Sequence, residues 1–254
     1  MLTGLTRLIL AELYSREALS QAKRIANPGC FATNSQLLLA PLLPFIASPP
    51  TISAISGYSG AGTKSGSLPK VTPEDLHHAV KPYALTDHIH EREAGFHLSS
   101  LLPQGAPVGS QLDVAFMPHV APWFQGIIST VSIPLSQTMR ASEVRELFQE
   151  AYDKESLVKV VPEIPQIHDI AGKHGVRLGG FQVHSSGKRV VAVVSGVFPW
   201  LGSDVWWLTA GSWVFDAVPG SPRQPPQGCR HPVPPGMSLC RGMFCALASA
   251  QCSG

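Results

Sequence analysis

The spacing of apolar residues changes several times along the chain. Between residues 4 and 25, Leu5, Leu8, Ile9, Leu13, Leu19 and Ala22 recur at mostly helical intervals with Arg, Lys and Glu between them, which predicts a surface helix. Glu12 and Glu17 lie inside it and argue against an acid-poor targeting presequence. Asn27-Pro28-Gly29 breaks the pattern. Residues 32–47, ATNSQLLLAPLLPFIA, predict a buried helix strained at Pro41 and Pro44, because proline lacks an amide donor. TISAISG (51–57) is β-branched and short and predicts a strand, whereas the Gly/Ser/Lys-rich residues 58–73 predict a loop. Residues 74–100 hold His77, His78, His88, His90 and His97 with no clear period.

Strand signals return at 111–118 (QLDVAFMP) and 126–135 (GIISTVSIPL). Residues 141–154 predict an amphipathic helix capped by Ser142, with Arg145 and Glu146 toward water and Val144, Leu147, Phe148 and Ala151 toward the core. Strands are expected again at 156–162, 178–185 and 188–195. Strands and helices alternate without a strict βαβ beat. The expectation is an α+β domain built on a mixed or mostly antiparallel sheet with flanking helices.

Composition divides the chain near residue 195. Of the five Cys in the sequence, Cys229, Cys240, Cys245 and Cys252 all fall in 196–254, where charge is sparse and PGSPRQPPQG shows no apolar period. Residues 1–195 are expected to be the folded domain, and 196–254 a Pro/Cys/Trp-rich tail that is disordered or non-native. The tail cysteines contain no C-x2-4-C pair, so a zinc site is not expected there. A formal net charge of +2 from 19 basic and 17 acidic residues argues against the clustered positive surface of a nucleic-acid binder. No apolar run is long enough to span a membrane.

Chemistry concentrates in the body. Cys30 is its lone cysteine, placed after Pro28-Gly29 and before a helix. A thiol among the unpaired amides of a helix N-terminus is expected to ionise below the free-thiol midpoint near 8.5, which suits a nucleophile. A buried structural cysteine is the alternative. Asp87-His88-Ile89-His90-Glu91-Arg92-Glu93 sets carboxylates beside imidazoles. Extended, His88 and His90 share a face; helical, His90 and Glu93 are i, i+3 neighbours. Acid–base work, metal ligation and a solvated loop all fit that segment. Ser59-Gly60-Ala61-Gly62 follows a strand and allows close backbone approach to a ligand. Lys64 nearly completes a phosphate loop, but Thr63 intervenes. Pro118 to Gly126 joins two strands through Trp123 and Phe124, as a pocket lining or as rigid packing.

Asn27-Pro28-Gly29-Cys30, Ser59-Gly60-Ala61-Gly62, His88-x-His90-x-x-Glu93 and Pro118-His119-Val120, in this order and spacing, resemble N-acetyl-gamma-glutamyl-phosphate reductase, most closely its fungal form. The resemblance covers about residues 12–195. It implies a catalytic (substrate and dimerisation) domain of the semialdehyde-dehydrogenase/glyceraldehyde-phosphate-dehydrogenase-like fold. The implied activity is NADPH-dependent reduction of N-acetylglutamyl phosphate to the semialdehyde, through a cysteine thioester, in arginine biosynthesis. Cys30 is implied as nucleophile, His90 as acid–base and Glu93 as its orienting partner, with an oxyanion site at the Gly29 and Cys30 amides. Asn27, Gly29, Ser59, Gly60, Gly62, Lys64 and His88 are implied near substrate or cofactor. The position after SGAG, often Arg in the family, is Thr63 here. Only 29 residues precede Cys30 and no G-x-G-x-x-G lies among them, so the expectation is a domain without its Rossmann partner, with impaired NADPH binding and little or no activity. The implied partners are the small-molecule substrate, a second copy through the sheet and acetylglutamate kinase, and the implied compartment is the mitochondrial matrix, with cytoplasm as the alternative. The competing functions are a metal-dependent hydrolase using His88, His90 and Glu93, and a non-catalytic paralogue.

Overall fold

Period-two runs become strands wherever one face can be buried. The computed structural model describes residues 10–14, 16–17, 24–61, 72, 74–102, 111–197 and 213–216. Its strands are β1 (Arg24–Asn27), β2 (Thr51–Gly57), β3 (Lys81–Pro82), β4 (Ala115–Ala121), β5 (Ile127–Pro134), β6 (Val158–Val160), β7 (Gly175–Val183), β8 (Arg189–Val197) and β9 (Trp213–Asp216). Its α-helices are α1 (Cys30–Leu39), α2 (Ile89–Ser99), α3 (Ala141–Tyr152) and α4 (Ile167–Ile170). Seven strands form one mixed sheet in the order β3-β4-β2-β5-β8-β7-β6, and β1 pairs antiparallel with β9. Within the seven, β2–β4 and β6–β7 are parallel and the other pairs antiparallel. The expected mixed sheet with flanking helices is therefore present.

Register explains the core. Ser129, Val131 and Ile133 of β5 stand opposite Val194, Ala192 and Val190 of β8, and all six are buried. Helix α1 packs on β5 and β8 and is buried from Phe31 to Leu39. In a helix buried all round, polar side chains turn to its own backbone, although among the described residues Asn34 Nδ2 and Oδ1 and Gln36 Oε1 have no partner. Thr33 Oγ1 donates to Gly29 O at 3.0 Å, Ser35 Oγ to Phe31 O at 2.8 Å and Gln36 Nε2 to Ala32 O at 3.2 Å. At Pro41 the α-helix gives way to a 3-10 helix, Ala40–Phe45, with Pro44 inside it. Tyr152 Oη donates to Leu37 O at 2.7 Å and Phe148 stacks 4.6 Å from Phe181, so α3 is fastened to both α1 and the sheet.

Several expectations are corrected. Arg24–Asn27 is strand, not the end of a helix; most of residues 4–23 lie outside the described residues. The buried helix begins at Cys30 rather than residue 32. Ser142 does not cap α3: Glu143 reaches back to the residue before the helix, accepting from Arg140 N–H through Oε2 at 2.7 Å and from the Arg140 guanidinium through Oε1 at 2.9 Å. Ala151 is exposed and Tyr152 takes the core position. Helix α2 has no apolar period because much of its packed face is made of small or polar residues, Ala94, Gly95 and His97 beside Leu98. A Cβ on Gly95 would stand 2.6 Å from Leu112 O, so glycine there allows the backbone of the approach to β4 to come close. The expected boundary at 195 falls inside β8, which keeps its ladder partners to Val197. Four residues assigned to the tail, Trp213–Asp216, pair with β1. The remainder of 198–254 lies outside the described residues.

Candidate active site

The site forms where the β1–α1 turn meets the start of α2. Asn27 ends β1, and its Nδ2 donates to Pro28 O at 3.3 Å, which tightens the turn. Gly29 is extended, with φ −63° and ψ 159°, and starts α1 at Cys30. Nothing in those angles requires glycine. Space does: a Cβ on Gly29 would fall 2.2 Å from His90 Nε2 and 2.7 Å from His90 Cδ2. The imidazole of His90 occupies the volume a side chain would take.

Helix α2 delivers that imidazole. The segment ambiguous in sequence is helical from Ile89, which makes His90 and Glu93 neighbours one turn apart. Two acids of α2 lock it in place. Glu93 Oε1 accepts from Gly29 N–H at 3.0 Å, and Glu91 Oε2 accepts from Phe116 N–H at 3.0 Å on β4. The stronger contact of Glu93 is thus to the cysteine turn, since its Oε2 stands 3.8 Å from His90 Nε2. The Gly29 amide is consequently engaged and unavailable to an oxyanion, which leaves the Cys30 and Phe31 amides at the start of α1.

Burial governs the electrostatics. The side chain of His90 is 11% exposed, and desolvation, with a smaller push from His88, lowers its pKa to about 3. Its Nδ1 is buried without a hydrogen-bond partner among the described residues. Cys30 is half-buried, and desolvation pushes its thiol up to about 11 although the Phe31 and Cys30 amides act in the opposite sense; Glu93 adds to the rise. The expected depressed thiol is therefore corrected: the helix N-terminus lowers the pKa, and burial outweighs it. Iodoacetamide labelling of Cys30, followed by peptide mass spectrometry, should show a midpoint above the free-thiol value of about 8.5. A midpoint at or below that value would show that the helix terminus dominates.

Tyr83 was not singled out from sequence. Its N–H donates to Pro118 O at 3.1 Å, its ring stands 5.8 Å from that of His88, and burial with a smaller contribution from Cys30 raises its phenol pKa. It lies beside His88 and within electrostatic reach of Cys30, and no local motif marks it. Ser59 and Gly60 lie in a 3-10 turn, Tyr58–Ala61, anchored to the β4–β5 connection by Tyr58 N–H to Trp123 O and Ser59 N–H to Phe124 O, each at 3.0 Å. Trp123 and Phe124 line an open apolar groove with Ile128, Ile164 and Ile167. Gly62 and Lys64 lie outside the described residues.

The hydrolase alternative finds no support. His88 Nδ1 is used at 3.2 Å by the His90 amide, and Glu93 Oε1 by Gly29, so these donors do not converge. No cluster of three His, Cys, Asp or Glu residues able to hold a metal occurs among the described residues. Dinucleotide anchoring is equally unprovided among them. The start of α2 is capped by His88, and the amides just before α3, α4 and α1 are held by the carboxylates of Glu143, Asp169 and Glu93. These residues do not fit a pyrophosphate. No helix of the described residues is long and apolar enough to cross a membrane.

Known proteins share this architecture. The family model described as "Semialdehyde dehydrogenase, dimerisation domain" matches residues 30–196. Protein arg-6, mitochondrial, from Neurospora crassa is 48% identical over 182 residues, 72% of this chain and 19% of that protein. N-acetyl-gamma-glutamyl-phosphate reductase from Xanthomonas euvesicatoria is 44% identical over 181 residues, 71% of this chain and 53% of that protein. The chain thus spans about a fifth of the fungal relative and about half of the bacterial one. Aspartate semialdehyde dehydrogenase from Francisella tularensis superposes with a TM-score of 0.56 at 14% identity, over 75% of this chain and 65% of that one, which supports the fold.

Proposed function

Since the chain belongs to the semialdehyde dehydrogenase dimerisation-domain family, we propose that it carries the acylation centre of an N-acetyl-gamma-glutamyl-phosphate reductase of arginine biosynthesis. The observation that carries this reading is the His90 imidazole resting on Gly29, one residue before Cys30. The relatives named for that reductase, or for the mitochondrial fungal protein, agree with it.

The chemistry starts from two neutral groups. Cys30 is protonated and His90 unprotonated at neutral pH. As the thiol attacks the acyl carbon of N-acetylglutamyl phosphate, its proton passes to His90. A sulfur–carbon bond forms, the carbon–oxygen bond to phosphate breaks, and inorganic phosphate leaves. The Cys30 and Phe31 amides face the developing oxyanion. Glu93 holds the Gly29 backbone beneath the imidazole. Reduction of the thioester to the aldehyde requires a hydride, which NADPH supplies in the implied reaction; the described residues provide no anchor for it, and the steps assigned to this chain end at the thioester.

A second copy is the proposed macromolecular partner, in keeping with the family's dimerisation role. The sheet face opposite α1, where Ile55, Ile128 and Val191 are only partly buried among the described residues, is the surface for it. The name of the fungal relative supports location in the mitochondrion, and the family resemblance supports the matrix within it. Association with acetylglutamate kinase rests on the family resemblance.

Incubating the chain with N-acetylglutamyl phosphate should release phosphate in a burst and add one N-acetylglutamyl group, mapped to Cys30 and removed by hydroxylamine. Cys30→Ser should lose both signals, on the order of 10⁴-fold in rate. An adduct on another cysteine, or none, would overturn the assignment.

A further inference from the structure

His88 stands two residues before His90, in extended backbone with φ −61° and ψ 142°. Its Nδ1 accepts the His90 amide N–H at 3.2 Å, and its carbonyl accepts from Glu91 N–H at 3.0 Å. These are the bonds of an N-cap, supplied here by an imidazole in place of the usual short side chain. The ring is packed on several sides. Phe31 lies 6.1 Å away edge-on, Tyr83 5.8 Å, Phe116 5.4 Å and His90 4.9 Å. An acceptor at Nδ1 requires the neutral ring with its proton on Nε2. Asp87, at φ 59°, turns the chain into this cap from the left-handed region.

We infer that His88 is a positioning residue: its imidazole caps α2 at the amide of His90 and so holds the His90 ring over the Gly29–Cys30 turn. Capping fixes the first turn of a helix, and His90 lies in that first turn. Fraying of this turn would lift the ring out of the space above Gly29 and expose it to water. The neighbours that keep His88 neutral are themselves uncharged at rest: His90 on α2, Tyr83 on the preceding segment, and Phe31 and Phe116 on α1 and β4. Desolvation accordingly lowers the pKa of His88.

This role presupposes the acylation site proposed above only in its kinetic readout, so the test carries a second readout that does not. The full chain is labelled with ¹³C at the histidine ring carbons, and the His90 signal is assigned by its loss in His90→Gln. In the parent chain the His90 resonance should not titrate between pH 5 and 8. His88→Phe keeps the aromatic packing but removes the acceptor; its His90 midpoint should rise by at least one pH unit on the expectation that the ring gains solvent. His88→Asn restores an acceptor of the preferred kind without the ring. Its His90 midpoint should stay low, and its phosphate release should remain within about threefold of the parent, against about 10- to 100-fold loss in His88→Phe. If His88→Asn shifts the His90 midpoint as far as His88→Phe, or if His88→Phe leaves it unmoved, the cap is not what holds His90. If Asn leaves the midpoint low but loses phosphate release as Phe does, the imidazole contacts substrate and the positioning role is wrong. Absence of phosphate release in the parent chain would count against the proposed function alone, and the resonance titration would still decide the cap.

Discussion

Gly29→Ala should lower the rate of phosphate release and Cys30 acylation by at least about 100-fold, the loss seen when a positioned base is removed. The added methyl would stand 2.2 Å from His90 Nε2, 2.7 Å from Cδ2 and 3.0 Å from Cε1, so the ring or the turn must move. Neither moves freely. The turn is held by Glu93 at the Gly29 amide and by Thr33, whose amide donates to Gly29 O at 2.8 Å. The ring is wedged beside Phe31, with ring centroids 5.8 Å apart. Overpacking of this kind also costs about 1–3 kcal/mol of stability, which a denaturant melt would register. Gly29→Ala with parental rates would mean that the His90–Gly29 contact is not the working geometry.

Acidification from pH 7 to pH 5 should remove about 2–4 kcal/mol of folding stability, a large share of a typical total. His90 and His97 are the source. Both are buried as neutral rings, with pKa values lowered by desolvation to about 3 and about 4. The sign follows from where the proton binds. Below the ordinary histidine midpoint near 6.5 the unfolded chain takes up a proton that the folded chain refuses, so stability is highest above that value and declines as pH falls toward the folded midpoints. Each ring contributes at most about 1.4 kcal/mol per pH unit across that window. The lowered pKa of His88 acts in the same direction, and burial of the Glu12 carboxyl, which raises its pKa, acts against it. His97 is 4% exposed and its Nε2 has no hydrogen-bond partner among the described residues, so His97→Phe removes a titrating group and an unsatisfied nitrogen together. Urea melts at pH 7, 6 and 5 should show roughly half the parental slope in His97→Phe. Equal slopes in the two chains would assign the acid sensitivity elsewhere.

What the sequence revealed depended on how local the determining interaction is. The cysteine turn was legible because Pro28, Gly29 and the apolar run after Cys30 specify a turn and a following helix within one short segment. The sheet was legible where period-two runs such as 126–135 bury one face. The conformation of His88–Glu93 was not, because α2 packs through small residues and is anchored by Glu91 and Glu93 to β4 and to the Gly29 amide, partners far away in the chain. The thiol's protonation state failed for a related reason. Motif spacing shows the helix terminus, but the desolvation that outweighs it comes from the tertiary packing around the turn. Tyr83 reaches the site by the same kind of distant contact, and β1 acquires its identity from pairing with residues 213–216.

Strand β8 has a consequence for the order in which the domain can be built. It is the last strand of the seven to be synthesised, yet it lies between β5 and β7. Until residues 189–197 have left the ribosome, the nascent chain holds two partial sheets, β3-β4-β2-β5 and β7-β6, each with an open edge that β8 alone is shaped to fill. Such edges invite pairing with other chains, and closing them is a long-range step, slow by nature. Helix α1 rests on β5 and β8 together, so Cys30 acquires its support only when that final strand slides in. A newly made chain is therefore both most prone to aggregation and without the assembled Cys30 turn until the same event ends both conditions.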